Sequence, residues 1–332
     1  MEDRVLLAHG SGGRLSQELI ARMVSCLGES CRNAMDDSAV INSPGRLAFT
    51  TDSFVVTPLF FPGGDAGKLA VCGTVNDLAM SGAQAEYLSL SFIIEEGMPV
   101  ADLERVARSV RAAALEAGVC IVTGDTKVVP RGAADKLFIN TAGLGAVPAG
   151  VDISGANARP GDAVILSGTV GDHGITVMTQ REGLRFTGEL ASDCAPLNSL
   201  VAAMLAVCPD IHTLRDPTRG GLATTLNEIA RQSGVGITIN ESAVPVKTPV
   251  KSLCALLGLD PLYVANEGKL VAFVPAEKTE VVVAAMRRQR YGEQAIVIGE
   301  VTSGPVRVVL KTSLGTSRVL PMLAGDLLPR IC

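Results

Sequence analysis

The sequence predicts an α/β protein with two successive αβ domains and a short C-terminal tail. Its 332 residues exceed what one hydrophobic core usually organises, which favours two domains. Apolar residues make up 47% of the chain and charged residues 19%, a balance typical of a well-buried globular protein. Glycine and proline cluster at 148–162, which predicts a linker. We therefore expect an N-terminal domain at 1–150, a C-terminal domain at 151–320 and a tail at 321–332.

Helical and strand-like periodicities alternate through the first domain. The clearest helix is predicted at 99–117, where apolar residues recur on one face and Gly118 ends the pattern. Further helices are predicted at 15–27 and 67–81, and strands at 48–56, 87–94, 119–123 and 137–147. Residues 124–127 follow the third of these strands, and we expect them to form a glycine-containing loop.

A second set of helices and strands follows the linker. Strands are predicted at 163–167, 236–239, 270–274, 295–301 and 306–310, and helices at 222–233, 247–257 and 277–291. This alternation again favours helices packed on a sheet. From Pro321 onward, two prolines and a glycine in twelve residues predict an extended, flexible tail.

Composition argues against several classes of function. A net charge of -5 without a basic patch argues against nucleic acid as the main partner. No window reaches the roughly 18 uninterrupted apolar residues that span a membrane, and the first residues lack the apolar segment of a signal peptide. The eight cysteines include no Cys-x-x-Cys pair, so neither a zinc site nor a disulfide framework is expected. We therefore expect a cytoplasmic protein that does not bind membranes.

Acidic residues recur beside glycine-rich turns, where α/β folds gather their binding sites. Clustered carboxylates repel one another unless a cation lies between them, and Mg²⁺ prefers carboxylate and phosphate oxygens. Taken singly, each of these aspartates is more typical of a turn or a helix cap. Asp77 differs because, next to Asn76, it places a charge inside an otherwise apolar helix, where a charge needs a partner. The acidic residues are Asp36, Asp37, Asp52, Asp77, Asp125 and Asp216.

Glycine pairs near these acids can offer backbone N–H groups to phosphate. They stand at 12–13, 63–64 and 220–221, and the last pair precedes a predicted helix whose dipole favours anions. The stretch 63–68 is one residue too short for a P-loop, and Leu69 stands where a Mg²⁺-binding Ser or Thr is required. The sequence therefore predicts a nucleotide or metal site of a non-P-loop type.

The chain ends on a cysteine, Cys332. A free thiol has a pKa near ~8.5; the neighbouring Arg330 favours the thiolate, and the C-terminal carboxylate opposes it. In most proteins a terminal cysteine is incidental, so its position alone assigns no function. On a flexible tail, however, a thiol can enter a pocket and leave it again.

Several motifs spread along the chain form one recognisable pattern. They are Asp36-Asp37-x-Ala39, Thr51-Asp52-Ser53, Val75-Asn76-Asp77-Leu78, Val122-Thr123-Gly124-Asp125-Thr126-Lys127, Ala265-Asn266-Glu267-Gly268-Lys269 and Pro329-Arg330-Ile331-Cys332. The pattern resembles the ATP-binding superfamily that includes aminoimidazole ribonucleotide synthetase, selenophosphate synthetase and thiamin-monophosphate kinase. Within that superfamily the chain resembles the HypE family of hydrogenase-maturation carbamoyl dehydratases.

The resemblance implies a fold and a reaction. The fold has two αβ domains of the aminoimidazole ribonucleotide synthetase-like type, and the N-terminal strands form a shared barrel in a homodimer. Members of the family carry a carbamoyl group on the terminal cysteine, received from the carbamoyltransferase HypF. They use ATP and Mg²⁺ to dehydrate it to a thiocyanate. The cyanide then passes to iron on a HypC–HypD scaffold and ends in [NiFe]-hydrogenase.

The resemblance also implies roles for individual residues. Cys332 carries the group, Glu267 accepts a proton, and Lys127 stabilises charge or relays a proton. The residues alone leave alternatives, because Glu267 can be paired with Lys269 and Lys127 can be a surface cation. Mg²⁺ ligands are expected at Asp37, Asp77 and Asp216, and Asp36 can exchange roles with Asp37. Nucleotide contacts are expected at Gly12, Gly13, Asp36, Asp52, Asn76, Thr123, Gly124, Asp125 and Thr126.

Two other functions are compatible with these residues. One is a small-molecule kinase or synthetase of the same superfamily, in which Cys332 is incidental. The other is a non-catalytic carrier that presents its tail to partners. Deleting Cys332 tests the first, because activity on a diffusible substrate would survive the deletion. The mass of the C-terminal peptide after carbamoylation and ATP addition tests the second.

Overall fold

The computed structural model describes residues 4–6, 13–28, 45–184, 189–323 and 331–332. Helices and strands alternate through both halves, which confirms the predicted α/β class. Within these ranges, no helix combines the length and apolar character needed to cross a membrane. Gly12, Asp36 and Asp37 lie outside the described residues.

The first domain is built on a four-stranded sheet. Its elements are α1 (Gly13–Leu27), β1 (Leu47–Phe54), β2 (Phe60–Phe61), β3 (Gly64–Asp65), α2 (Ala66–Met80), β4 (Gln84–Glu95), α3 (Val100–Ala117), β5 (Cys120–Val129) and β6 (Leu137–Ala146). The strand order is β1-β6-β4-β5, and only β4 and β5 run parallel. The strands β1 and β5 therefore lie at opposite edges of the sheet, while β2 and β3 form a separate hairpin.

The two faces of this sheet differ in burial. Successive residues of β6 alternate between buried and half-buried, as expected when one face is covered. Helix α2 covers that face and α3 packs on α2. A Cβ at Gly67 would lie 2.6 Å from the Val106 carbonyl oxygen, so these two helices can approach closely only because that residue is glycine. On the other face Leu47, Phe49 and Ile93 are exposed, with Phe49 at 72%.

The second domain contains a seven-stranded sheet. Its elements are β7 (Ala163–Leu166), α4 (Asp172–Arg181), α5 (Asn198–Val207), β8 (Thr213–Arg215), α6 (Gly221–Ser233), β9 (Gly236–Asn240), α7 (Thr248–Leu257), β10 (Val271–Val274), α8 (Thr279–Arg287), β11 (Ile296–Thr302), β12 (Val308–Lys311) and β13 (Ser317–Val319). The strand order is β13-β12-β9-β11-β7-β10-β8. Every residue of β10 is buried, so this interior strand, which lies between β7 and β8, is apolar without alternation.

The structure corrects the sequence prediction in two main places. The strand predicted at 119–123 continues to Val129, because its parallel pairing with β4 extends to Glu95. Residues 124–127 therefore lie in a strand, and the predicted loop is wrong. Helices α4 and α5 were not predicted. The first turn of α4 buries the polar residues Asp172 and His173, so this helix lacks a simple apolar stripe.

Candidate functional site

Three carboxylates from both domains form an acidic cluster. Asp52 lies in β1, Asp77 lies near the end of α2, and Asp216 directly follows β8. The Thr50 hydroxyl donates to Asp77 Oδ2 at 2.8 Å, and the Ser53 N–H donates to Asp52 Oδ1 at 2.8 Å. Because side chains alternate along β1, Thr50 and Asp52 both lie on its less exposed face.

The pKa values of all three carboxyls are raised. Burial, followed by the charge of Asp77, raises the pKa of Asp216 to about 7, and Asp52 adds to this effect. Burial is also the main cause of the raised pKa of Asp77, with a further contribution from the charge of Asp52. The pKa of Asp52 is itself raised by burial. The cluster thus has the repulsion and the oxygen atoms that favour a hard cation.

A metal ion would need more than these side chains. Within the part of the chain that the structure describes, no three His, Cys, Asp or Glu side chains converge closely enough to hold one. Of the predicted ligands, Asp77 and Asp216 are brought together, whereas Asp37 lies outside the described residues. The donor set fits Mg²⁺ when water or phosphate oxygens complete the coordination, which is the usual arrangement for this ion.

Glu267 is a buried carboxyl near the acidic cluster. It is 4% exposed; burial raises its pKa well above the usual value, and the charges of Cys194 and Asp216 add to the effect. Lys269 forms its ion pair with Asp193 at 3.1 Å, and Asp193 Oδ1 accepts the Glu267 N–H at 3.1 Å. The alternative in which Glu267 pairs with Lys269 is therefore wrong. Its Oε1 atom has no hydrogen-bond partner among the described residues.

The end of the chain lies beside Glu267. Burial raises the pKa of the Cys332 thiol, and the charge of Glu267 raises it further. The Val55 N–H donates to the Cys332 carbonyl oxygen at 3.2 Å. Ile331 is buried against the core of the first domain. The last two residues are thus docked with the thiol protonated; residues 324–330 of the predicted flexible tail lie outside the described residues.

Asn76 joins the two domains. Its Nδ2 donates to the carbonyl oxygens of Ala195 at 3.1 Å and Glu267 at 3.4 Å, while its Oδ1 accepts the Leu197 N–H at 2.8 Å. The side chain is 1% exposed. These bonds explain why a polar residue lies inside the apolar helix α2, because the Asn76 amide holds the backbone that carries Glu267 in place.

The predicted nucleotide residues of β5 lie away from the acidic cluster. Thr123, Gly124, Asp125, Thr126 and Lys127 all belong to this strand. Lys127 Nζ lies 3.3 Å from Asp125 Oδ1, and both side chains are exposed. In register, these two residues stand opposite Ser91 and Ile93, on the same face as the exposed Phe49. Since β5 and β1 form opposite edges, one chain alone does not bring Lys127 to Asp52.

Other residues at the site were not predicted. His173 forms a hydrogen bond to the Ile331 carbonyl oxygen, and Ser192 contacts the other ring nitrogen of His173. The Arg219 guanidinium opposes the rise in the pKa of both Asp52 and Cys332. The available signal for His173 was its place in the glycine-rich stretch 167–174, in a chain with only three histidines. Gly13, a predicted nucleotide contact, begins α1, which packs on α3.

Two family models match most of the chain. Residues 35–147 match the N-terminal domain of AIR synthase related protein, and residues 159–311 match its C-terminal domain. The chain also shares its fold with a thiamine-monophosphate kinase from Stenotrophomonas maltophilia. That structure is 20% identical, with a TM-score of 0.67 over 93% of this chain and 98% of the other.

More similar relatives match over nearly their whole length. A carbamoyl dehydratase HypE of Azotobacter vinelandii is 53% identical over 99% of this chain and 97% of its own. A crystal structure of the hydrogenase maturation protein HypE in complex with ATP is 51% identical, with a TM-score of 0.95 over 98% and 99% of the two chains. A structure of a HypE–HypF complex is 49% identical, with a TM-score of 0.82 over 94% and 100%. At this similarity, the chain belongs to the HypE family of carbamoyl dehydratases.

Proposed function

We propose that this chain uses ATP to dehydrate a carbamoyl group on its own Cys332 to a thiocyanate. The product would supply cyanide ligands for the iron of [NiFe]-hydrogenase. The observation that carries this proposal is the docking of the terminal thiol beside Glu267 and the acidic cluster. A kinase acting on a diffusible substrate would gain nothing from holding its own chain end there, and a simple carrier would not need the buried carboxyl.

The acidic cluster is the proposed site for the ATP phosphates and Mg²⁺. Asp77 and Asp216 would be metal ligands, with Asp52 beside the nucleotide. When bound, Mg²⁺ would neutralise phosphate charge during transfer. A cation would also offset the burial and the carboxylate repulsion that raise the pKa of Asp216, so its binding would release the proton held there. The ATP-bound HypE structure, similar over 98% of this chain, supports ATP as the nucleotide.

Glu267 is the proposed proton acceptor. The carbamoyl oxygen attacks the γ-phosphorus of ATP, the bond to ADP breaks, and one N–H proton leaves as C=N forms. The C–O bond then breaks, phosphate departs, and loss of the second N–H proton gives C≡N. A buried carboxylate with a raised pKa is a stronger base than an exposed glutamate, which suits it to receive these protons. Asn76 and Asp193 hold its backbone in place.

Loading and unloading of Cys332 require partners. We propose HypF as the carbamoyl donor, because a similar HypE protein has been crystallised in a HypE–HypF complex. A HypC–HypD scaffold would accept the cyanide in the cytoplasm. The tail must leave its docked position for both exchanges, since Ile331 is buried and Cys332 is partly buried beside Glu267.

A second copy of the chain is the proposed partner of the exposed sheet face. Covering this face would bury Phe49, and aromatic side chains are enriched at protein–protein interfaces. Closing two four-stranded sheets into a barrel would place β5 of one subunit beside β1 of the other. The partner subunit's β5 would then run beside the strand that carries Asp52. The partner subunit's Lys127 could stabilise charge at the nucleotide, and Thr123, Gly124, Asp125 and Thr126 would act across the dimer.

The proposal can be tested on the C-terminal peptide. Glu-C digestion after Glu300 releases residues 301–332, in which Cys332 is the only cysteine. After loading with HypF, carbamoyl phosphate and ATP, we expect this peptide to gain the mass of one carbamoyl group. Repurified loaded protein given Mg-ATP should then lose the mass of one water. Loaded protein that hydrolyses ATP without ever losing water would refute the dehydratase proposal.

A further inference from the structure

His173 is a buried side chain that contacts the tail without facing the reacting thiol. It lies in the first turn of α4 and is 0% exposed. Its Nε2 lies 2.8 Å from the Ile331 carbonyl oxygen, and its Nδ1 lies 2.8 Å from Ser192 Oγ. Burial lowers its pKa, so the ring is neutral and carries a single N–H.

The neighbouring groups determine which ring nitrogen carries the proton. The Ile331 carbonyl oxygen can only accept, so a hydrogen bond to it requires the proton on Nε2. Nδ1 must then accept, and Ser192 can supply the donor through its hydroxyl. The Cys194 N–H donates to the same Ser192 oxygen at 3.1 Å, which leaves the hydroxyl proton free to point at the ring. Each hydrogen bond from the Cys194 N–H, through Ser192 and His173, to the Ile331 carbonyl oxygen therefore has one donor and one acceptor.

We infer that His173 is a positioning residue that latches the C-terminal dipeptide in place, and that Ser192 holds its ring in the required tautomer. The chain end has two other observed anchors, the buried Ile331 side chain and the Val55 N–H bond to the Cys332 carbonyl. His173 supplies a side-chain anchor one residue before the thiol, so it sets how Cys332 faces Glu267.

The latch has opposite consequences for the two halves of the cycle, and this part rests on the proposed function. Loading of Cys332 by a partner requires the undocked tail, whereas dehydration requires the docked tail. A weaker latch should therefore speed loading and slow dehydration. A general structural defect would instead slow both steps.

Alkylation of Cys332 measures docking without reference to catalysis. We compare wild type, His173→Leu and His173→Gln with iodoacetamide, following Cys332 in the Glu-C peptide 301–332. Loss of one buried hydrogen bond should raise the Cys332 alkylation rate about threefold to tenfold in His173→Leu. His173→Gln retains an N–H donor and should stay closer to wild type. The matched control is His212→Gln, because His212 is also buried but contacts Asp162, at 2.9 Å.

The same variants then enter the loading and dehydration assays. We expect faster carbamoylation and slower water loss in His173→Leu, and wild-type behaviour of both steps in His212→Gln. Folded His173→Leu protein with wild-type Cys332 alkylation, or with both steps slowed equally, would overturn the latch. If wild type itself never loses water, the proposed function fails while the alkylation result still decides the latch.

A second variant keeps the test decisive if His173→Leu does not fold. Ser192→Ala removes the donor to Nδ1, which frees the ring to carry its proton there and turn an unprotonated Nε2 toward the Ile331 carbonyl. We expect Cys332 alkylation about twofold faster or more. A wild-type Cys332 alkylation rate in folded Ser192→Ala protein would overturn the latch, even where His173→Leu is unfolded.

Discussion

Replacing Asp216 by asparagine should stabilise the nucleotide-free protein while abolishing its nucleotide turnover. Folding raises the pKa of this carboxyl from 3.8 to about 7. Between these values the folded protein holds more protons at Asp216 than the unfolded chain does, so stability falls as pH rises through this window. Asp216→Asn removes that loss. The free energy of unfolding of Asp216→Asn should therefore exceed that of wild type by an amount that grows from about pH 4 to pH 7 and stays constant above pH 7.

The size of the effect follows from the two pKa values. A rise of roughly three pH units, at about 1.4 kcal/mol each, gives an upper limit of about 4 kcal/mol. Because Asp216 is partly exposed, we halve this for solvent screening and expect about 2 kcal/mol at pH 8. With an unfolding entropy of about 2.1 cal/mol/K per residue, that corresponds to a Tm increase of about 3 °C for this chain of 332 residues.

Urea unfolding at pH 5 and pH 8, without nucleotide or Mg²⁺, measures the difference. Asp152→Asn is the matched control, because Asp152 is exposed and its ion pair with Arg46 lies at the surface. It should change the free energy of unfolding by less than about 0.5 kcal/mol at either pH. With saturating Mg-ATP, the order of the two free energies of unfolding should reverse, so that wild type becomes more stable than Asp216→Asn. An Asp216→Asn effect that is the same at pH 5 and pH 8 would refute the argument from the raised pKa of Asp216.

Three further predictions concern individual residues. Asp77→Asn should abolish ATP turnover but leave Cys332 able to accept a carbamoyl group from HypF; loss of both, with a lowered Tm, would point to misfolding instead. Glu267→Gln should load normally and lose water about 10²- to 10⁴-fold more slowly by peptide mass, and a wild-type rate would remove Glu267 from its role as base. Phe49→Glu should shift the protein toward monomer in sedimentation velocity and lower ATP turnover; a fully active monomer would contradict the contribution of the partner subunit's Lys127.

Elements with strong local signals could be predicted from the sequence. Helix α3 has a continuous apolar face and ends at Gly118, which adopts the left-handed conformation with φ of 71°. Helix α4 lacked such a signal because Asp172 and His173 are buried by tertiary contacts. The length of β5 depends on its pairing with β4, which residue preferences do not encode.

The chemical character of the site could be predicted from the sequence better than the relative positions of its residues. The charge within α2 indicated that Asp77 needed a partner. In the structure the charge of Asp52 contributes to the raised pKa of Asp77, and the charge of Asp77 contributes to the raised pKa of Asp216. The position of Lys127 at the opposite edge follows from the strand order, which is a long-range property. The role of His173 depends on a hydrogen bond to a residue 158 positions away, so the glycine-rich stretch around it could mark the residue but not its contact with the chain end.

The docked chain end has a consequence for kinetic order. If Cys332 is the substrate carrier, each subunit brings one substrate to its own site, and dehydration of the loaded protein is first order in that protein. Dilution should leave its rate constant unchanged as long as the subunit assembly persists. ATP consumption should show a burst of one equivalent per loaded chain and then stop until a partner reloads the thiol. The contacts of Ile331 with His173 and of Cys332 with Val55 would thus limit each loaded chain to a single turnover, and its partners would set the overall rate.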